Sequence, residues 1–128
     1  MFYDAARHAA IEPLNRWAVE LAETRLGPDH AETATALNNL AHLLQATHRL
    51  AEAEPLLRRV VMIFLKFTRA TGHAHPHLRD AIANYRHLLL QQGAGPLRVQ
   101  RRLREIAADA GYTPEAWAEL AAGWGGEA

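Results

Sequence analysis

The stretch LGPDHAETATALNNLAHLLQATHRLAEAEPLLRRVV, residues 26–61, decides the fold. Gly27-Pro28 breaks any regular element before it. From there the apolar residues recur at helical spacing. At 100° per residue, Leu37, Leu40, Ala41 and Leu44 form one stripe. Asn39 lies about 40° from Leu43 at the edge of that stripe, and Asn38 points further outward. Asparagine is a mediocre helix former, so two in succession ask for a reason other than helix stability. A second helix follows from residue 51. It starts on AEAEP, with Pro55 in or near the first turn, where a missing N–H costs least. VVMIFL, 60–65, passes as a buried strand in isolation, but its flanks AEAEPLLRR and KFTRA continue a helix.

Working outward, Gly72, Gly93-Ala94-Gly95-Pro96 and Gly111 cut the rest of the chain. The spacing predicts helices over 4–25, 31–46, 51–70, 76–92, 96–110 and 114–123. Thr113-Pro114-Glu115 is a start signal, with a capping hydroxyl followed by proline at the first helical position. Two internal matches then appear. HAETATALNNLAHLLQATH, 30–48, falls on HPHLRDAIANYRHLLLQQG, 75–93, at an offset of 45, which carries His30 to His75 and Asn39 to Asn84. AIEPLNR, 10–16, falls on AEPLLRR, 53–59, at an offset of 42 through Glu12-Pro13-Leu14 and Glu54-Pro55-Leu56.

The loop LGPDH, the helix LNNLA and the helix AEAEPL, in that order and at that spacing, resemble the 42-residue tetratricopeptide repeat of the kinesin light chain type. TGHAHPHLRDAIANYRHLLLQQG, 71–93, resembles the last repeat of such an array, and 1–25 the second helix of a preceding one. The resemblance implies an all-α fold, a short superhelix of antiparallel helix pairs over 1–93. It has a half-unit at 1–26, a full unit at 27–70 and a last unit from 71, with a helical cap at 94–128. In that cap Leu97, Leu103 and Ile106 are expected inward, with Trp117, Leu120 and Trp124 closing the end. Two positions depart from the family's pattern: Arg86 stands where the first repeat has Ala41, and Val60 where the family usually has alanine.

In this family the first helices line a groove, and asparagines at this position commonly bond the backbone of a bound peptide. The resemblance therefore implies partner contacts at Asn39 and Asn84, flanked by His42, Arg86 and His87. An amide supplies both the donor and the acceptor that a peptide unit requires. The alternative for the asparagines is bonding between neighbouring helices. The unpaired half-unit supports another reading, self-association through Phe2, Tyr3, Leu14, Trp17 and Leu21, since large apolar faces are usually covered.

Charge narrows the partner. The 128 residues sum to zero, yet 1–57 carries a net −4, 58–104 a net +9, and 105–128 a net −5. A basic middle suits an acidic protein or peptide. Arg98, Arg101, Arg102 and Arg104 in RVQRRLR also suit phosphates, but few aromatics accompany them and no nucleic-acid motif is present; Glu105 and Asp109 are placed to pair with them. No cysteine and no serine occur, which removes the commonest nucleophiles. No glycine-rich phosphate loop is present. GHAHPH, 72–77, alternates three histidines, which extended backbone puts on one side as metal ligands, but His75 falls on the family's loop histidine, so no metal and no cofactor is expected. The longest apolar run is far short of a membrane helix, and the N-terminus lacks the apolar core of a secretory signal. These readings describe a cytoplasmic, non-enzymatic interaction module. Abundant alanine and arginine beside a single lysine, Lys66, point to a GC-rich, bacterial genome.

Overall fold

The computed structural model describes the backbone of residues 2–123 and the side chains of 6–123. Six helices occur among the described residues: α1 (Phe2–Leu26), α2 (Ala31–Ala46), α3 (Leu50–Thr71), α4 (Leu78–Gln91), α5 (Pro96–Asp109) and α6 (Pro114–Ala122). There is no strand among them. Each predicted helix is present, with ends within about two residues. The chain forms two compact units, residues 1–63 and 64–128, and α3 contributes to both.

The loops are made by local chemistry. Gly27 takes φ +99°, the left-handed region that favours glycine, and its carbonyl accepts a 2.7 Å bond from the fully buried Thr33 Oγ1. His30 then caps α2, its Nδ1 accepting from the Glu32 N–H at 3.0 Å. The α2–α3 turn uses a non-glycine in the left-handed region, His48 at φ 61°. Arg49 N–H bonds Leu44 O there, and α3 starts at once. That early start puts Pro55 in the second turn of α3 and not the first, where it removes the ladder bond to the Ala51 carbonyl.

In the first unit the core is the expected α2 stripe. Leu37, Leu40, Ala41 and Leu44 are buried, joined by Leu57, Val60 and Val61 of α3. From α1 only Val19 joins them among the described side chains. The asparagines are reversed from the expectation. Asn39 is exposed, whereas Asn38 is half-buried, with its Oδ1 shut off from solvent. The stripe is wider on the Ala34 and Ala41 side than its leucines indicate, and Asn38 borders those two small residues.

In the second unit Tyr85, Leu78 and Leu88 of α4 are fully buried, as is Leu103 of α5, with Val99 and Ile106 beside it. Leu97 does not face inward; it is 80% exposed. It lies about 200° round the helix from Val99, and Val99, Leu103, Ile106 and Ala107 take the inner stripe instead. Tyr112 ties the α5–α6 loop to α3 by donating its hydroxyl to Leu65 O at 2.8 Å, and burial pushes that phenol's pKa up. Thr113 caps α6 by accepting from Ala116 N–H at 3.0 Å. Trp117 is buried and Leu120 half-buried; Trp124 lies outside the described residues.

Candidate functional site: the α1–α2 cleft and the outward faces of α2 and α4

Helix α1 is held along one side by charge. Arg49, at the start of α3, bonds Glu12 of α1 through Nη1 and Glu52 through Nε at 2.6 Å. Arg16 donates a hydrogen bond to Glu12 at 3.0 Å and forms a looser ion pair with Glu52 at 3.8 Å. About three turns further along α1, Arg59 Nη1 reaches Glu23 at 3.4 Å. Hydrogen bonding from Arg49 and then Arg16 holds the Glu12 carboxyl below the usual carboxylate range, and Arg49 does the same for Glu52. The Arg49 guanidinium is correspondingly harder to deprotonate, first through Glu52 and then Glu12. Below this network, Val19, Leu37, Leu40 and Leu56 wall a recess of about 320 Å³ among the three helices.

The other side of α1 is not covered in this way. Leu14, Trp17 and Leu21 share a face, being three and four residues apart. Leu14 is 62% exposed and Trp17 61% exposed, while Leu21 is half-buried. Trp17 and Leu21, with Ala18, Ala22 and Leu26, form one wall of a cleft of about 530 Å³. The α2 wall is Glu32, Thr35, Ala36 and Asn39, and Arg25 stands with Glu32 at the loop end. Six of the ten lining residues are apolar. Leu14 is not among them, and the side chains of Phe2 and Tyr3 lie outside the described residues.

Of the partner-binding candidates, Asn39 and His42 are exposed on α2 in the first unit; Asn84, Arg86 and His87 lie on α4 in the second. Asn39-Leu40-Ala41-His42 and Asn84-Tyr85-Arg86-His87 repeat one pattern. In each, the three-residue spacing puts the amide and the imidazole on adjoining surface. Arg86 stands apart from Asn84, about 160° away across the buried stripe of α4, and is half-buried.

The loop histidines serve the backbone. His75 Nδ1 accepts from the His77 N–H at 3.0 Å, repeating the His30 bond of the first repeat. Its own N–H donates to Thr68 Oγ1 at 3.1 Å. The ring stacks on Phe64 at 4.3 Å and meets Phe67 edge-on at 4.8 Å. Burial first, then the neighbouring His77, push its pKa down. No cluster of three or more metal-ligating side chains occurs among the described residues.

The basic band divides. Arg58 and Arg59, at its start, have carboxylate partners in the first unit, Glu54 and Glu23. On α5, Arg98, Arg101 and Arg104 are exposed, and no carboxylate among the described residues pairs with them within 4.0 Å. Glu105 and Asp109 therefore do not neutralise them as expected; both are exposed on the same helix and separately solvated.

Missed from the sequence was the cleft wall of Ala18, Ala22 and Ala36. Its signal was the i, i+4 alanine pair beside Trp17 and Leu21, legible as helix-forming residues but equally suited to close helix approach.

Second helices that share Glu-Pro-Leu, first helices that share Asn-x-x-His, and histidine-capped loops between them define a helical-hairpin repeat protein that offers surface. The family model of the tetratricopeptide repeat matches residues 2–66, and the chain belongs to that family. Its repeats mediate protein–protein interaction and are not themselves enzymes. No curated protein matches the sequence. Among the described residues no helix is long and apolar enough to cross a membrane.

Proposed function

We propose that this chain is a non-enzymatic module of the kinesin light chain type that binds a peptide or protein partner through its first helices α2 and α4. The observation that carries this reading is the repeated Asn-x-x-His surface. An exposed amide on α2 and a half-exposed one on α4 recur at the same repeat position, each beside an imidazole that also hydrogen bonds. Folding alone does not require Asn39, which is exposed on a helix whose core is already filled. The acidic character of the partner is supported by α5, whose arginines have no carboxylate to neutralise them among the described residues. The repeat division at 27 and 71, with 94–128 as a cap, belongs to the same proposal, as does a cytoplasmic setting.

The test is an array of acidic peptides read against the intact chain, with Asn39→Ala/Asn84→Ala as the control. The account expects selective capture that the double variant loses while its melting curve is unchanged. Capture that survives in the double variant contradicts groove binding by these amides.

One observation favours a second reading, a self-assembling scaffold. Leu14 and Trp17 expose most of their surface on one face of α1. Light scattering across a wide concentration range decides it. Assembly that Trp17→Glu reduces to monomer supports this reading; a monomer throughout rejects it.

A further inference from the structure

Helix α1 buries less than a helix of its length should. Of its side chains at 6–26 only Val19 is in the core. The chain's own repeat shows what becomes of the same face elsewhere. Placing Glu12-Pro13-Leu14 on Glu54-Pro55-Leu56 carries Ala18 to Val60, Leu21 to Ile63 and Ala22 to Phe64. These three counterparts are 2%, 3% and 5% exposed. On the other wall the offset of 45 carries Ala36 to Ala81, which is 4% exposed. Ala18, Leu21, Ala22 and Ala36 thus line an open cleft in one repeat and stand at core positions in the next, whereas Trp17 falls on the half-buried Arg59. The two settings differ in one element. A helix of the ALNNL kind, α2, precedes α3, and among the described residues none precedes α1.

We propose that the α1–α2 cleft takes an amphipathic α-helix supplied from outside these 128 residues, standing to α1 as α2 stands to α3. The proposal rests on the reading of the chain as a protein-binding module and names the shape of one partner. From Trp17 to Leu26 the cleft runs about 14 Å, so roughly three helical turns fill it. The occupant carries an apolar stripe at i, i+3 or i+4, and i+7. It has a small residue opposite the Trp17 indole, as α2 has Ala41 within its own stripe. Arg25 and Glu32 at the loop end nearly cancel, so the apolar stripe and not net charge selects the helix. This sets it apart from an acidic extended peptide. A second copy of this chain is the poorer occupant. Its α2 and α4 stripes are already buried, and its α1 would bring Leu14 and Trp17 against the same bulky side chains.

The probe is a capped, fluorescent peptide with the sequence of residues 31–46, AETATALNNLAHLLQA, titrated with the intact chain by anisotropy. A second probe has proline in place of Leu40, which cannot form the helix interior. The expected result is saturable binding of the first probe, loss of binding for the second, and a Kd raised about ten-fold or more by Leu21→Glu or Trp17→Glu. Leu97→Glu, on an exposed α5 position, leaves the Kd unchanged. Far-UV melting of each variant shows that it is folded, and Trp17→Glu stands in if Leu21→Glu is not. Equal binding of the proline probe overturns the proposal, as does no binding of either. If acidic peptides are still captured in the latter case, the interaction module stands and only the helix site falls. A chain that is dimeric by light scattering and made monomeric by Trp17→Glu also overturns it, because the cleft then belongs to a second copy.

Discussion

Trp17 is the largest side chain on the uncovered face of α1, and its removal separates folding from docking. A covered tryptophan buries about 150–250 Å². With 61% of it exposed, roughly 60–100 Å² is withdrawn from water here, worth about 1.5–2.5 kcal/mol at ~25 cal/mol/Å². Alanine keeps part of that contact and gains about 0.5 kcal/mol in helix propensity. The net cost of Trp17→Ala is therefore about 1–1.5 kcal/mol. Leu37, a smaller side chain on the α2 stripe that packs into the first unit's core, is fully buried, and Leu37→Ala should cost about 2–5 kcal/mol. The smaller deletion is thus the more damaging. Urea unfolding followed by far-UV circular dichroism measures both, since Trp17→Ala removes one of the three tryptophans and alters the fluorescence signal. A Trp17→Ala cost above about 3 kcal/mol, the range for a buried tryptophan, would refute the open face. So would a Leu37→Ala cost below that of Trp17→Ala.

Three further outcomes follow from the contacts. Glu12 and Glu52 have folded pKa values below their ordinary 4.5. The stability they lend is complete above about that pH and is lost as the pH falls through the lowered folded values. Arg49→Gln should lower the melting temperature at neutral pH and flatten the acid limb; an unchanged limb contradicts the network. The His75 pKa is lowered from 6.5, so its contribution is complete above about 6.5 and fades as the pH falls through the folded value; an NMR titration should place its inflection below 6.5, and an inflection at or above it contradicts the burial of the ring. Tyr112→Phe removes the bond to Leu65 O and should cost about 0.5–1.5 kcal/mol in the same urea assay, with no effect pointing to a hydroxyl satisfied by solvent.

What the sequence disclosed and what it withheld have physical reasons. The six helices were legible because glycine and proline breakers bound runs of helical period, and Thr113 and Pro114 mark a start that the structure keeps. The leucine stripe of α2 was legible for the same cause. Period, however, describes one helix, whereas burial depends on its neighbours. Leu97 is apolar near the start of α5, yet Val99 sets the inner stripe. Asn38 is half-buried because small Ala34 and Ala41 broaden the buried face beside it. The α1–α2 cleft is a property of two helices together, and its alanines are indistinguishable in sequence from ordinary helix formers. The loop histidine His75 was legible as a repeat of His30, but its ring packing against Phe64 and Phe67 was not.

The measurement that bears most directly on the account is an NMR titration of the isotope-labelled intact chain with the helical 31–46 probe. It follows the Trp17 indole N–H, the Ala36 amide and the Asn39 side-chain amide. The account predicts that these three shift together and saturate together, while the exposed face of α5 around Leu97 is still. Shifts confined to α5, or none at Trp17 and Asn39 while the probe binds, would contradict it.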